Sequence, residues 1–426
     1  MRHPAVINAL LALWFTAVTN IAFFQQIWQI TPHHGVKSVV FLMVSFVLLW
    51  AYLNFFLQLI TWSKLARPLQ TLLLFFAASG TYAINSFKVV IDTSQIQNLM
   101  ETDRQEMLDL FLNINVLIYI VLLVILPSFF LWRTPVLAQS LAKQIKQKLA
   151  FVGISLTTII AILAIFYVDY AAMFREHRNL RYLINPVNSV NAFYNYWQNH
   201  QPSETKTLVS YGTDARYIPN PQQKPILLVF VLGETARAQS FSLNGYERTT
   251  NPLLAKQQII NFSQVSSCGT ATAVSLPCIF SGFTRKDYDE NTAHHREGLL
   301  DIAKRAGYKV TWIENNSGCK GVCDRVEQYP LLEDRKALWC KDGECVDDLL
   351  LDTFKAYLAK AETSNRAIFL HQEGSHGPAY YRRYPSAFER FTPACNTNAI
   401  QGCSTQAVVN TYDNTILYTD YILSSV

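Results

Sequence analysis

Long apolar segments fill the first 175 residues, and polar positions there are mostly confined to short connections. A hydrocarbon core about 30 Å thick is crossed by roughly 20 helical residues, so each of these segments is long enough to span a membrane. The pattern predicts a transmembrane bundle of five helices in residues 1–175, at approximately Ile7–Trp28, Ser38–Trp62, Pro68–Phe87, Leu112–Trp132 and Leu149–Phe174.

Charged side chains between the apolar segments alternate in sign from one side of the predicted bundle to the other. Basic residues gather on one side, at Arg2, Lys64, Arg67, Arg133, Lys143, Lys146 and Lys148. Acidic residues gather on the opposite side, at Asp92, Glu101, Asp103, Glu106 and Asp109. Because basic loops tend to stay in the cytoplasm, we predict a cytoplasmic N-terminus. An odd number of crossings then places the rest of the chain outside the cytoplasm.

The pattern changes after residue 175. Residues 176–223 combine basic side chains with Tyr182, Tyr194 and Trp197, which is typical of a helix lying at a membrane interface. The same stretch ends in a polar segment with several prolines, which indicates a linker. We therefore predict an interfacial or bridging helix and linker over 176–223, followed by a globular domain over 224–426.

The globular domain alternates strand and helix patterns. Three short apolar runs read as buried strands, namely Ile226–Leu232, Tyr308–Ile313 and Ala367–His371. Helical patterns lie between them, at Gly298–Ala306 and Val346–Ala361. This order predicts an α/β sandwich with a mostly parallel sheet. In such sheets ligands bind beyond the carboxyl ends of the strands.

Composition and charge indicate which compartment the globular domain occupies and which kind of partner the chain contacts. The chain has a formal charge of +5, which favours contact with an acidic membrane surface over nucleic acid. All eight cysteines lie in the predicted globular domain, in closely spaced pairs. An even number of this kind indicates disulfides and an oxidising compartment. A zinc site at Cys319 and Cys323 is the alternative, but the second ligand pair that such a site needs is missing.

Polar residues that follow the predicted strands are candidates for chemistry. Glu234 is either a metal-binding carboxylate or an acid that stabilises a helix start. The hydroxyl-rich loop 266–273 could supply a metal-activated nucleophile or a helix cap. His376 and Lys320 could contact a phosphate, although either could also be a solvated surface residue.

A polar face precedes the fourth predicted transmembrane helix. Asn98, Thr102 and Glu106 recur at every fourth position, which places them on one side of a helix. Spacing alone favours a solvated surface; a site for a lipid head group is the alternative.

Five motifs together resemble one protein family. They are GETAR at 233–237, FSLNGYERTTNP, SSCGTATAVSLPC, NNSGCKGV and GSHGPAYYRRYP. In these motifs and in its overall organisation, the whole chain resembles the membrane-bound phosphoethanolamine transferases that modify lipid A, including the mobile colistin-resistance enzymes. The resemblance implies a multi-pass protein of the bacterial inner membrane. It also implies a periplasmic domain of the alkaline phosphatase/sulfatase-like type.

The resemblance implies a reaction. Phosphoethanolamine moves from phosphatidylethanolamine to lipid A through a phosphothreonine intermediate, and the added amine offsets surface charge and weakens polymyxin binding. Zinc is the implied cofactor, with Glu234 and Thr272 among its ligands, and Thr272 is the implied nucleophile. From local sequence alone, Thr270 is the second candidate. The same chemistry on core heptose, Kdo or a glucan is the alternative.

The resemblance also implies roles outside the metal site. Lys320 and His376 match residues that contact the phosphate of phosphoethanolamine. Asn98, Thr102 and Glu106 match residues of the lipid head-group site, which reverses the interpretation from spacing alone. Four disulfides are implied, namely Cys268–Cys278, Cys319–Cys323, Cys340–Cys345 and Cys395–Cys403.

One motif of the family has no counterpart here. The family completes its zinc site with an Asp-His pair in a late D-H-G-E-S motif, whereas this sequence has no Asp-His pair and no histidine beyond His376. The sequence also stops before the last strands of the family's sheet. We therefore expect an incomplete zinc site, weak zinc binding and an unpaired sheet edge. The sequence is then either a fragment or a C-terminally truncated and inactive membrane protein.

Overall fold

The computed structural model describes residues 3–31, 33–62, 65–101, 114–137, 140–199, 207–218, 224–341, 343–360, 362–397 and 400–426. The chain divides into two compact units. The helical unit comprises Met1–Met100 and Phe111–Gln201, and the sheet unit comprises Glu101–Leu110 and Pro202–Val426. The predicted boundaries at residues 175 and 223 are finer than this division and stay predictions.

Long helices build the helical unit. They are α1 (Pro4–Trp14), α2 (Ile21–Ile30), α3 (Val36–Ile60), α4 (Ala66–Tyr82), α5 (Thr93–Glu101), α6 (Ile114–Ile120), α7 (Leu126–Arg133), α8 (Leu141–Glu176) and α9 (Val187–Asn199). Single π-helical turns extend α1 to Thr19 and α4 to Phe87, and another joins α6 to α7.

Three stretches of helix in the described residues are long and apolar enough to cross a membrane, namely Val36–Ile60, Ile114–Arg133 and Leu141–Glu176. A fourth is added if the pair Pro4–Thr19 and Ile21–Ile30, bent by 60°, counts as one span. The third predicted span is helical, as α4 and its π-helical turn, but it is not among the stretches that are long and apolar enough. The number of five spans therefore stays a prediction.

A buried polar network lies inside the apolar core of the helical unit. Asn8 on α1 donates to Gln58 Oε1 at 3.0 Å and accepts from Gln70 Nε2 at 2.7 Å. Thr61 Oγ1 donates to the same Asn8 oxygen at 3.0 Å. Amide side chains can donate and accept at once, so one asparagine links three helices without an ionised group.

The start of α9 is also fixed by side-chain amides. The Nδ2 of Asn20, in the bend between α1 and α2, donates to the Asn185 carbonyl at 2.8 Å, and its Oδ1 accepts from the Asn185 amide at 2.9 Å. Gly80 of α4 allows this approach, because a Cβ there would lie 2.1 Å from Asn185 Oδ1. The chain therefore enters α9 from a fixed position within the helical unit.

The sheet unit is built on a four-stranded parallel sheet. Its strands are β1 (Leu227–Leu232), β2 (Lys309–Glu314), β3 (Glu327–Tyr329) and β6 (Arg366–His371), and their order is β1-β6-β2-β3. A separate hairpin joins β4 (Cys340–Lys341) to β5 (Glu344–Cys345). The prediction of a mostly parallel α/β sheet is confirmed, with each predicted strand within about two residues of its bounds.

Helices pack around this sheet. They are α10 (Thr272–Phe280), α11 (Glu290–His294), α12 (Leu299–Arg305), α13 (Glu333–Trp339), α14 (Asp348–Leu358) and α15 (Thr405–Ser425). Alternate strand residues point to opposite faces, so Phe369 joins one apolar layer with Phe280 and Trp312. Leu370 joins the other layer with Phe354. The sheet is thus covered on both faces, as its apolar strands predict.

Helix α15 carries a buried polar face that holds loops of the sheet unit. Asn414 Oδ1 accepts the amides of Arg390 and Phe391, at 3.0 and 2.8 Å. Asp420 accepts the amides of Leu253 and Leu254, at 2.8 and 3.0 Å. One helix therefore accepts the amides of two separate loops and fixes the path of each.

The eight cysteines form four disulfides in the sheet unit, joining Cys268–Cys278, Cys319–Cys323, Cys340–Cys345 and Cys395–Cys403. These are the four pairs that the family resemblance implies. A set of possible metal ligands in the described residues combines Cys319 and Cys323 with Asp324. Because both sulfurs are already bonded to each other, this group does not offer the thiolates that zinc requires.

Candidate active site

Glu234 lies directly beyond the carboxyl end of β1, as the sequence predicts. The next residue, Thr235, has φ of 50°, a conformation that is unfavourable for a β-branched side chain and is found mainly at functional sites. The Thr235 hydroxyl donates to Glu234 Oε1 at 2.6 Å. The Tyr412 hydroxyl of α15 donates to the Thr235 carbonyl at 2.7 Å. The turn that presents Glu234 is therefore held from two sides.

Thr272 is the first residue of α10, and its side chain meets Glu234. The Thr272 hydroxyl donates to Glu234 Oε2 at 3.0 Å. The amides at the start of a helix favour an anion in front of them, so a phosphate at Thr272 would be stabilised there. Thr270, the second candidate from local sequence, is exposed. The contact with Glu234 therefore favours Thr272 as the hydroxyl that works with the carboxylate.

The surroundings of Glu234 keep its carboxylate ionised. Burial raises the pKa of Glu234, but contacts with His371, Thr235, His376 and Thr272 outweigh it and lower the pKa to about 2. A carboxylate with so low a pKa is a poor proton acceptor at neutral pH. The environment thus suits Glu234 to binding a cation better than to acting as a general base.

A fully buried histidine lies beside this pair. His371 ends β6, and its Nε2 is 3.9 Å from Glu234 Oε2 while its Nδ1 is 2.8 Å from Glu314 Oε1. Burial lowers the pKa of His371, but the two carboxylates outweigh it and raise the pKa to about 9. The active-site end of the sheet therefore carries alternating negative and positive groups on three neighbouring strands.

His376 also reaches Glu234. Its Nδ1 lies 4.0 Å from Glu234 Oε1. Gly374 packs against the same residue, because a Cβ at Gly374 would lie 2.8 Å from the Glu234 carbonyl oxygen. The structure thus brings together three of the predicted site residues, Glu234, Thr272 and His376.

An ion-pair cluster anchors the loop of His376. Arg383 is 4% exposed, and its Nε donates to the His376 carbonyl at 2.8 Å. Its other nitrogens lie 2.9 Å from Glu373 Oε1 and 3.3 Å from Glu344 Oε1. Glu344 belongs to the hairpin closed by the disulfide Cys340–Cys345. A disulfide-closed hairpin therefore fixes the loop that carries a predicted phosphate contact.

Lys320 lies in the loop after β2, closed by the disulfide Cys319–Cys323. Its φ is 48°, and its Nζ donates to the Ser317 carbonyl at 3.3 Å. Its predicted contact with a phosphate stays a prediction.

The predicted head-group residues fall partly outside the described chain. Asn98 lies on α5 of the helical unit. Thr102 and Glu106 lie outside the described residues. Their shared helix face therefore stays a prediction.

Glu234 and Thr272 fit part of a metal site. A carboxylate oxygen and a hydroxyl oxygen lie 3.0 Å apart, and His371 Nε2 beside them is a buried atom without a hydrogen-bond partner in the described residues. Oxygen donors of this kind suit a divalent cation. A catalytic zinc site uses three protein ligands, so these two are part of a site.

Four residues of this site were not assigned a role from the sequence. Thr235, Glu314 and His371 each lie at or just beyond the end of an apolar run, which alone does not distinguish them from other polar residues. Tyr412 gave no signal, since its partner lies 177 positions away along the chain. Only the order of the strands shows that His371, Thr235 and Glu314 lie in one site.

Comparisons with known proteins agree with the motifs and the geometry. Residues 227–426 match the sulfatase family model, and residues 49–201 match the model for the phosphoethanolamine transferases EptA and EptB. The chain is similar to phosphoethanolamine transferase EptA of Salmonella typhimurium, with 40% identity over 97% of this chain and 76% of the relative.

Two further proteins are similar to this chain over nearly its whole length. Phosphatidylethanolamine transferase Mcr-1 of Escherichia coli is 36% identical over 98% of this chain and 79% of its own length. The structure of the integral membrane lipooligosaccharide phosphoethanolamine transferase EptA from Neisseria meningitidis matches 99% of this chain and 78% of its own, with a TM-score of 0.92 and 36% identity. This chain therefore belongs to the phosphoethanolamine transferase family.

Proposed function

We propose that this phosphoethanolamine transferase takes its group from phosphatidylethanolamine and gives it to lipid A, with Thr272 as the nucleophile. The observation that carries the proposal is the 3.0 Å contact between the Thr272 hydroxyl and the Glu234 carboxylate at the start of α10. The names of the relatives support the donor and the acceptor, since they act on phosphatidylethanolamine or on lipooligosaccharide.

The proposed reaction has two displacements at phosphorus. In the first, Thr272 Oγ1 forms a bond to phosphorus, the bond from phosphorus to the diacylglycerol oxygen breaks, and the threonine proton ends on diacylglycerol. In the second, a phosphate oxygen of lipid A attacks the phosphothreonine, and the Thr272 oxygen leaves and regains a proton. The amides at the start of α10 stabilise the charge that develops on the phosphoryl oxygens.

Other residues have supporting roles in this proposal. A zinc ion held in part by Glu234 and Thr272 would lower the pKa of the threonine hydroxyl. His376 and Lys320 contact the phosphate oxygens of phosphoethanolamine. Asn98, Thr102 and Glu106 contact a lipid head group. The ionised Glu234 keeps its charge throughout, since its pKa of about 2 disfavours protonation.

We propose a matching location. The helical unit spans the bacterial inner membrane five times, with its N-terminus in the cytoplasm, and the sheet unit lies in the periplasm. The four disulfides support this location, because they persist in an oxidising compartment.

The nucleophile is tested with the chain in detergent and phosphatidylethanolamine labelled in its head group. The variant Thr272→Ala is expected to lose the labelled phosphoenzyme altogether. The variant Thr270→Ala is the matched control and should keep it. Label that persists in Thr272→Ala, or that is lost in Thr270→Ala, would contradict the assignment.

The acceptor is tested separately by mass spectrometry of lipid A from cells that express the chain. Addition of phosphoethanolamine to a lipid A phosphate is the expected result. Addition to core heptose, to Kdo or to a glucan would keep the chemistry and overturn the acceptor.

A further inference from the structure

His371 lies on β6, one of the two inner strands, at the active-site end of the sheet. It is the last residue of β6 and is in register with Leu232 of β1 on one side and Glu314 of β2 on the other. Its side chain is 0% exposed. Burying an imidazole ring costs free energy unless its nitrogens find polar partners, so the two ring nitrogens need an explanation.

Each ring nitrogen faces a carboxylate from a neighbouring strand. Nδ1 lies 2.8 Å from Glu314 Oε1, and Nε2 lies 3.9 Å from Glu234 Oε2. The oxygen that Nε2 faces is the same Glu234 oxygen that accepts from Thr272. The ring therefore connects the carboxylate at the nucleophile to a second carboxylate away from it.

Glu314 is fixed independently of His371. Its Oε2 accepts from Trp312 Nε1 at 2.6 Å, and its Oε1 accepts from the Asn316 amide at 2.8 Å. Trp312 is 1% exposed and belongs to the apolar core. The carboxylate 2.8 Å from one end of the ring is thus held by a rigid part of the fold, and the other end of the ring faces Glu234.

We propose that His371 is a positioning residue that fixes the Glu234 carboxylate through a Glu314–His371–Glu234 relay. The proposal rests on the proposed function, since it concerns the carboxylate that holds the metal and meets Thr272. Residues behind a ligating carboxylate orient it, and losing them typically reduces metal affinity or activity about 10- to 100-fold. A ring without nitrogens at position 371 would leave both carboxylates facing an apolar group.

The test uses the full chain in detergent and the variants His371→Phe and His371→Gln. The first keeps a ring of similar size, and the second keeps polar atoms near both carboxylates. Zinc alone is the probe for affinity, measured by competition with a chelator, and the rate of phosphoenzyme formation is measured beside it. His294→Gln is the control, because His294 is exposed and contacts Glu290 on its own helix.

We expect His371→Phe to reduce zinc affinity and kcat about 30-fold, with KM changed less than about twofold. His371→Gln should recover most of that loss, and His294→Gln should match the unaltered chain. Glu314→Gln should cause a smaller loss of zinc affinity and kcat. The double variant of Glu314→Gln and His371→Phe should lose little more than His371→Phe alone, because the relay is already broken.

The proposal is overturned if His371→Phe keeps zinc affinity and kcat within about threefold of the unaltered chain. It is equally overturned if His371→Phe and His371→Gln lose activity to the same extent and that loss is no larger than the loss of folded protein. An unaltered chain that forms no phosphoenzyme would instead contradict the proposed function. The relay is then judged from the Tm of His371→Phe, Glu234→Gln and the double variant, where additive shifts overturn it and non-additive shifts support it.

Discussion

The two units bury polar groups in different ways. In the helical unit, Asn8 Nδ2 donates to Leu57 O and Gln58 Oε1, and its Oδ1 accepts from Thr61 and Gln70. In the sheet unit, His371 lies between two carboxylates, and neither ring nitrogen has a hydrogen bond of good geometry among the residues described. The hydrogen bonds of Asn8 join neutral side chains and are satisfied, whereas the groups around His371 are charged and incompletely satisfied.

This difference distinguishes polar groups that hold elements together from polar groups that belong to a functional site. A satisfied network of neutral groups specifies how elements pack. A buried charged group with an unsatisfied atom costs stability, and such costs are typical of functional sites. A buried charge does not by itself mark a functional site. Lys148 of the helical unit is charged, but its ammonium is satisfied, because it donates to the Gln58 carbonyl at 3.0 Å and to the Thr61 carbonyl. It also lies over the Trp62 ring.

The largest effect should come from the ion-pair cluster of the sheet unit. Arg383→Met leaves Glu373 and Glu344 without their buried partner, so we expect a loss of about 4 kcal/mol in the free energy of unfolding. Arg382→Met is the matched control, because Arg382 is more exposed and lies 3.4 Å from Glu344. Urea unfolding measures both. Equal losses in the two variants would mean that burial does not set the effect.

The helical unit should respond in stability alone. Asn8→Ala removes the donor to Gln58 Oε1 and the acceptor that Thr61 and Gln70 share, so we expect a loss of about 3 kcal/mol. Thermal unfolding in detergent measures it, with Ser79→Ala as the control, since that hydroxyl donates to the Phe75 carbonyl of its own helix. Transfer activity per folded molecule should stay unchanged. A fall in that activity would break the distinction between the two units.

Substitution of Gly374, which packs against the Glu234 backbone, should have a smaller effect on stability and a clear effect on phosphoenzyme formation. Gly374 has φ of 57°, and a Cβ there would lie 2.8 Å from the Glu234 carbonyl oxygen. We expect Gly374→Ala to cost about 2 kcal/mol and to slow phosphoenzyme formation. Gly402→Ala is the control, because no atom lies within 4 Å of its added Cβ. If Gly374→Ala formed the phosphoenzyme at an unaltered rate, a shift of the Glu234 backbone away from the added Cβ would not affect the reaction.

The smallest effect should come from a charged pair that is satisfied. Asp301 Oδ1 and Oδ2 accept from Arg325 at 2.7 Å each. Burial raises the pKa of Asp301, but Arg325 and the Gly298 amide outweigh it and lower the pKa below 3.8. Because the folded pKa is depressed, this pair stabilises the fold above pH 3.8 and loses that effect as pH falls through the folded pKa.

Asp301→Asn should therefore reduce stability by about 1.5 kcal/mol at pH 7, since Arg325 is 35% exposed. The difference from the unaltered chain should shrink below pH 3.8. Denaturant unfolding across pH 2–7 measures it, and transfer activity should not change. A difference that persists at pH 2 would show that the carboxylate charge is not the source.

The sequence predicted the individual elements of the sheet unit well. The runs before Glu234, Glu314 and the 372–376 loop were identified as buried strands because consecutive apolar residues are a local signal. Glu234 and His376 were predicted at the carboxyl ends of strands, and the structure brings them within 4.0 Å of each other. The helical unit was predicted less closely, because the π-helical turns and the 60° bend leave no local pattern.

The choice between neighbouring hydroxyls needed more than local sequence. Thr270 and Thr272 lie in one loop with the same chemistry, and both are compatible with the start of a helix. Only the position of α10 against β1 decides that Thr272, and not the exposed Thr270, contacts Glu234.

By itself, the sequence determined a membrane-type helical half, a parallel α/β half and a candidate carboxylate, hydroxyl and histidine. These follow from the length and period of apolar runs and from short motifs, which are local properties. The tertiary structure alone decided that His371 lies between Glu234 and Glu314, because that depends on the strand order β1-β6-β2. Strand order is set by packing between distant segments, and no local pattern encodes which polar ends become neighbours.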